Sequence, residues 1–256
     1  MEGAKDRNWT YPVQNMDWLW PARPCQTRLM KGYGQYCPIA RGSEIFAERW
    51  TPIIVRNLAF GCDTFTEIEK GAPGISRTLL AQRLRQLERF GIIERIPAKN
   101  GRGPRYILTE SGEELSDVCV TLGEWGARWL ELAPEHLDPS MALWSWCQGY
   151  INTGGLPTRR VVVRFDFVQR PKRTLWVLFE NGRGEVCHKH PGFEEDVVVT
   201  ADPEWFVKWH MGRVSWLQAV REGHITVEGP RDLARALPTW NTRSRFQAIK
   251  PRFAAR

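Results

Sequence analysis

The chain has 256 residues, room for two compact domains, and its 42% hydrophobic content suits ordinary globular cores. No apolar run is long enough for a membrane-spanning helix and no charged-then-apolar leader is present, so a cytoplasmic location is expected. The net charge of +7 favours polyanionic partners, while six scattered cysteines at positions 25, 37, 62, 119, 147 and 187 offer no Cys-x-x-Cys pair or Cys/His ligand spacing, which supports neither zinc nor a disulfide framework; no cofactor is expected.

Residues 1–31 form an N-terminal extension with Trp9, Trp18 and Trp20 among prolines and no helical or strand period. Its tryptophans argue for packing over free disorder. From Cys37 to Thr109 the elements follow the order of a winged helix-turn-helix, inside a first domain of residues 32–133. Two supporting helices come first, the earlier ending at Glu48-Arg49-Trp50-Thr51 and the later opening at Phe65-Thr66-Glu67-Ile68. Gly74-Ile75 then breaks the chain and Ser76 is a good N-cap for a third, basic helix. At about 100° per residue, Leu84 and Leu87 fall within roughly 40° of Leu80 and make a core face. Thr78, Gln82, Arg85 and Arg89 lie on the opposite side, with Arg77 and Arg83 on the flanks. Arginine, amide and hydroxyl groups in that arrangement suit base edges and phosphates.

A hairpin follows, with Ile92, Ile93 and Ile96 on one strand and Tyr106-Ile107-Leu108 on the return. Its turn, Pro97 to Pro104, is rich in glycine and basic residues. Such a tip suits phosphate or minor-groove contact. The predicted DNA-contacting set is therefore Ser76, Arg77, Thr78, Gln82, Arg83, Arg85 and Arg89 on the helix, with Lys99, Arg102 and Arg105 from the hairpin. A long helix from about Glu110 to Leu132 carries Leu115, Val118, Leu122, Trp125 and Trp129 at spacings of three and four. That apolar stripe packs either within one subunit or against a second copy.

Residues 134–139 read as a linker. The second domain, residues 140–240, opens on a Trp-rich helix, Met141 to Tyr150, and continues with strands at Val161–Val168, Thr174–Glu180, Glu185–His188 and Val197–Thr200. Asn181-Gly182 is a hairpin turn. Helices at Pro203–His210 and Val214–Glu222, a strand at Ile225–Val227 and a helix at Pro230–Leu237 complete an α+β layer structure. A basic tail, residues 241–256, follows. Seven tryptophans crowd this region, and Trp176, Trp205, Trp209 and Trp216 are candidates to line an apolar ligand cavity, the alternative being that they fill the core. His188 and His190 flank Lys189, yet a solvated hairpin explains them better than a metal site. With no Gly-x-Ser-x-Gly, P-loop or dinucleotide fingerprint, no catalysis is expected.

Cys37-Pro38-Ile39, Arg49-Trp50-Thr51-Pro52-Ile53-Ile54, Phe65-Thr66-Glu67-Ile68, Ile75-Ser76, Leu80, Leu84-Arg85-Gln86-Leu87-Glu88, Gly91-Ile92-Ile93 and Tyr106-Ile107-Leu108-Thr109-Glu110-Ser111-Gly112 resemble the HxlR-type transcriptional regulators. The match spans roughly the first half of the chain, with one departure at Ala72-Pro73 before the third helix. The resemblance implies a homodimeric bacterial repressor or activator that binds double-stranded operator DNA, pairing its long helix with that of its mate. It also implies two uses for a cysteine at the place of Cys37: a redox or electrophile sensor in some members, a packing residue in others. Val197-Val198-Val199-Thr200, Asp202-Pro203-Glu204-Trp205-Phe206, Gly212 and Gly223-His224-Ile225-Thr226-Val227-Glu228-Gly229 resemble the sterol-carrier-protein-like fold more weakly. That fold implies a sheet and helices around an apolar tunnel, hence a hydrophobic small-molecule partner. Together these describe a dimeric regulator with a ligand domain. The competing description is a hydrophobic-ligand carrier whose winged helix docks another protein.

Overall fold

The computed structural model describes residues 32–97, 103–168 and 171–252. Two units are distinguished, Met1–Glu44 and Ile45–Arg256. Only the end of the first falls among the described residues. There helix α1 (Pro38–Phe46) begins on a proline, whose missing N–H costs nothing in a first turn. The Tyr33 backbone N–H donates to the Glu44 carboxylate at 2.9 Å, and Arg41 pairs with the same carboxylate. The leading extension lies outside the described residues.

In the second unit, α2 (Thr51–Ala59), α3 (Phe65–Lys70) and α4 (Arg77–Arg89) form the three-helix core of the winged helix. Each start has a local cause. Pro52 opens α2 after Trp50, which holds a left-handed φ of 82°. Thr64 and Glu67 make a reciprocal capping box on α3. The Ser76 hydroxyl accepts from the Leu79 N–H at 3.2 Å on α4. Leu80, Leu84 and Leu87 are each no more than 1% exposed and pack with Ile54, Ile68 and Ile93, so the leucine stripe faces the core as its period predicts. Strands β1 (Ile93–Ile96) and β2 (Arg105–Leu108) pair antiparallel, Ile93 opposite Leu108, to make the wing. Helix α5 (Glu110–Trp129), capped by Thr109, packs along α2.

After a short 3₁₀ turn at Pro134–His136 comes α6 (Pro139–Gly149), buried on several sides at once. Trp144 packs into the winged-helix core, while Leu143, Trp146 and Cys147 pack into the second one. The sequence reading gives this helix to the second domain; its packing serves both. The second domain is a five-stranded sheet in the order β5-β4-β3-β6-β7. Its strands are β3 (Val161–Phe167), β4 (Arg173–Glu180), β5 (Arg183–Cys187), β6 (Val197–Ala201) and β7 (Ile225–Glu228). Only β3 and β6 pair in parallel; the other neighbours are antiparallel. Asn181 and Gly182 both have positive φ, 53° and 74°, as a type I′ hairpin turn requires. Helices α7 (Pro203–His210), α8 (Trp216–Arg221) and α9 (Arg231–Ala236) complete the layer.

The segment 241–252, a basic tail by sequence, is tied down along its length. Asn241 and Ser244 are buried, and the Ser244 N–H donates to the His210 carbonyl at 2.9 Å. Arg213 donates to the Ile249 carbonyl at 2.6 Å. Phe246 lies so close to Gly123 of α5 that any Cβ there would strike its ring, and the Arg252 N–H reaches the Arg128 carbonyl at 2.7 Å. The segment thus runs from the second domain back onto α5 of the first.

Candidate nucleic-acid interface and ligand site

The outer face of α4 carries Ser76, Arg77, Thr78, Gln82, Arg85 and Arg89, all exposed. These positions follow from geometry: with three leucines pointing inward, the residues between them can only point out. The arginines divide into two groups. Arg77 pairs with Glu69 and lies over the Phe65 ring, centroid 4.8 Å away, while still largely exposed. Arg83 corrects the expectation for its position: its guanidinium pairs with Glu48 and donates to the Gln86 side chain at 2.8 Å, and only 14% of its side chain is exposed. It braces α4 rather than facing outward. Arg105 is likewise engaged, donating from Nε to Asp63 at 2.8 Å, and this pairing raises its pKa. Among the described residues, Arg85 and Arg89 have no ion-pair partner, and they are the charges most open to phosphates. Lys99 and Arg102 lie outside the described residues.

On α5, Val118, Leu122, Trp125 and Trp129 are 45–51% exposed. At about 100° per residue they fall within roughly 60° of one another, a single stripe. Leu115 instead packs toward the winged-helix core. Four large apolar side chains in line on a helix exceed the scattered apolar exposure normal for a surface.

The four candidate ligand tryptophans do not converge. Trp209 is 2% exposed and packs edge-on against Trp146 at 5.6 Å. Trp216 touches Trp209 at 4.6 Å. Trp205 stacks flat on His224 at 3.9 Å. Trp176 points to the other face of the sheet, donating its indole N–H to Glu195 at 2.7 Å beside His190. The core is closed by rings in contact: Trp146, Trp209, Trp240, Phe165, Phe167, Phe179 and Phe206 are fully buried, and their neighbouring centroids lie between 5.1 and 6.3 Å. Trp146 and Phe206 from the helices pack on Phe165 and Phe167 of the sheet face, which fills the space between the layers.

Open space lies instead between the two domains. One cleft, of about 890 Å³, is walled by Phe60, Asp63, Trp144, Gln148 and the β4–β5 hairpin. A second, of about 790 Å³, lies against Ala72–Ile75, Met141 and Trp144 on one side and Lys172–Leu175, Val186 and His188 on the other. Lys70 and Trp144 border both, and Lys70 faces Glu185 at 3.9 Å. The joint beside them is firm. The Trp144 ring occupies the place a side chain at Gly71 would need, and Arg56 lies 5.2 Å from the Trp144 ring while donating to the Gly71 carbonyl at 2.7 Å. Burial depresses the Arg56 pKa.

The thiols are quiet where they are buried. Burial pushes Cys62 and Cys119 up to about 11 and Cys147 higher still, so none is a thiolate at neutral pH. Cys37 stands half-buried immediately before α1, and the positive charge of nearby Arg41 is matched by Glu44. Among the described residues no cluster of three or more His, Cys, Asp or Glu is placed to hold a metal ion, and no helix is long and apolar enough to cross a membrane.

Two supporting helices, a capped basic helix with an outward polar face and a following hairpin define a winged helix-turn-helix module. Residues 45–134 match the HxlR-like helix-turn-helix family, and residues 159–239 match the SCP-2 sterol transfer family. The uncharacterised HTH-type transcriptional regulator YvaP of Bacillus subtilis (strain 168) is 33% identical over 107 residues, which are 41% of this chain and 96% of that one. The regulator MT3179 of Mycobacterium tuberculosis (strain CDC 1551 / Oshkosh) is 36% identical over 116 residues, 40% of this chain and 73% of that one. Diamide-treated YodB from B. subtilis has a crystal structure that aligns at 33% identity over 35% of this chain and 91% of that one, with a TM-score of 0.30. The chain belongs to the HxlR family of transcriptional regulators, and it carries a sterol-carrier-like domain beyond the part it shares with these relatives.

Proposed function

We propose that the protein binds operator DNA as a homodimer, laying α4 of each subunit in a major groove, and that a hydrophobic small molecule held against the second domain adjusts that binding. The observation that carries the reading is the exposed face of α4, where Thr78 and Gln82 offer base-reading groups and Arg85 and Arg89 offer uncommitted charge. The apolar stripe of α5 supports the dimer: a two-fold axis there would cover Leu122 and Trp125 and present two recognition helices to a palindromic site. The reading assigns no catalytic step to either domain.

Gel-shift titration of the protein's own promoter region across a salt series tests it. Arg85→Ala and Arg89→Ala should weaken binding to all sequences and flatten the slope of log affinity against log salt by about one unit per lost contact. Thr78→Ala and Gln82→Ala should change sequence preference instead, by about 1–3 kcal/mol at a base pair. A slope unmoved by both arginine changes would place the interface on another surface. Absence of any salt-dependent promoter binding would favour the carrier description.

A further inference from the structure

The second domain's interior is filled by its own rings, so an effector needs another seat. The cleft beside Ala72–Ile75 supplies one. Its walls are apolar at Ile75, Met141, Trp144 and Leu175, and its rim is basic at Lys70, Lys172 and His188. The lysines are weakly held. Lys70 lies 3.9 Å from Glu185 and Lys172 lies 3.5 Å from Asp166, with 57% and 63% of their side chains exposed. An incoming acidic group can take over such loose pairs at little cost. The acids on the same lining are already committed: Glu69 to Arg77, and Asp138 to Arg173 at 2.9 Å. An apolar floor with a spare positive rim fits a small amphipathic anion.

The position of the cleft matters as much as its chemistry. One wall is the turn that leads into α4, and another is Glu69, which holds Arg77 of the DNA-facing set. The opposite wall belongs to the second domain's sheet. A ligand there would lie against both the turn that sets the entry of α4 and the carboxylate that holds Arg77.

We propose that this interdomain cleft is the effector site, that its ligand is a small organic anion with an apolar body and one carboxylate or sulfonate, and that occupancy alters operator affinity through the Ala72–Ile75 turn. This deepens the reading that the second domain serves as a ligand sensor, and it rests on that reading.

The test uses the full chain with 8-anilinonaphthalene-1-sulfonate as the probe and N-phenyl-1-naphthylamine as its uncharged counterpart. Hydrogen exchange at saturating anionic probe should slow in peptides covering 70–76 and 139–144. The double change Lys70→Glu with Lys172→Glu, made on exposed side chains that leave the cores intact, should weaken the anionic probe about fivefold or more and leave the uncharged one unchanged. Protection confined to 203–216 would overturn the cleft while keeping a ligand-binding second domain. Equal affinity of the double variant for the anionic probe, or no probe binding at all, would also overturn it. None of these readouts contains DNA, so a failure of operator binding is recognised separately.

Discussion

The two domains use their large side chains in opposite ways. In the winged helix three leucines of α4 close the core and leave Thr78, Gln82, Arg85 and Arg89 turned outward. In the second domain Trp146, Trp209, Trp240 and four phenylalanines turn inward and meet one another. The difference lies in partners: a side chain with none inside the fold is left free to meet something outside it. Two arginines of α4 lack internal partners; the rings of the buried tryptophans all have them.

Three experiments bear on that contrast. The largest effect is expected from the neighbouring tryptophans of α6, one in each core. Trp144→Ala and Trp146→Ala should each cost about 3–5 kcal/mol, since each opens a ring-sized void. Because one helix serves both cores, both changes should lower a single calorimetric transition; two transitions, each answering to one variant, would show that the domains melt independently. Next comes the exposed stripe. Leu122→Glu or Trp125→Glu places a charge in the proposed seam and should cost about 3–5 kcal/mol of dimer stability, visible as monomers in sedimentation. A dimer that survives both would put the two-fold axis elsewhere. The smallest effect concerns pH. His210 is buried, its ring joined to Asn241 at 3.0 Å and Ser145 at 3.3 Å, and burial depresses its pKa from 6.5 to about 4. The folded state therefore keeps it neutral while the unfolded chain protonates. Its contribution is intact above pH 6.5 and is lost as the pH falls toward 4, up to about 3 kcal/mol. Denaturant titrations across that window should show the loss, and His210→Gln should flatten it.

Most of the winged helix was legible in sequence because its signals are local, but the reading ended the earlier supporting helix at Thr51, where α2 in fact begins. Ser76 caps the next turn, leucines at spacings of three and four choose a face, and the Asn181-Gly182 turn of the second domain sets its register within two residues. What sequence missed is separated along the chain. Arg83 meets Glu48 and Arg105 meets Asp63 across long stretches of chain, so neither arginine's engagement shows in a local pattern. Helix α6 hid its double role for another reason: apolar residues all round give no preferred side, a pattern that fits burial between two layers as well as within one. The segment 241–252 has a basic composition and no period, and its hydrogen bonds to His210, Arg213 and Arg128 are read only in three dimensions.

That returning segment also sets an order of events during synthesis. Helix α5 leaves the ribosome long before residues 241–252 exist, and it does so with Gly123 uncovered in mid-helix, where glycine weakens a helix by about 1 kcal/mol relative to alanine. Until Phe246 arrives to lie on that glycine, the nascent winged helix has its recognition face but not its clamp. The DNA-binding half of the protein thus reaches its finished form only when the other half has been made.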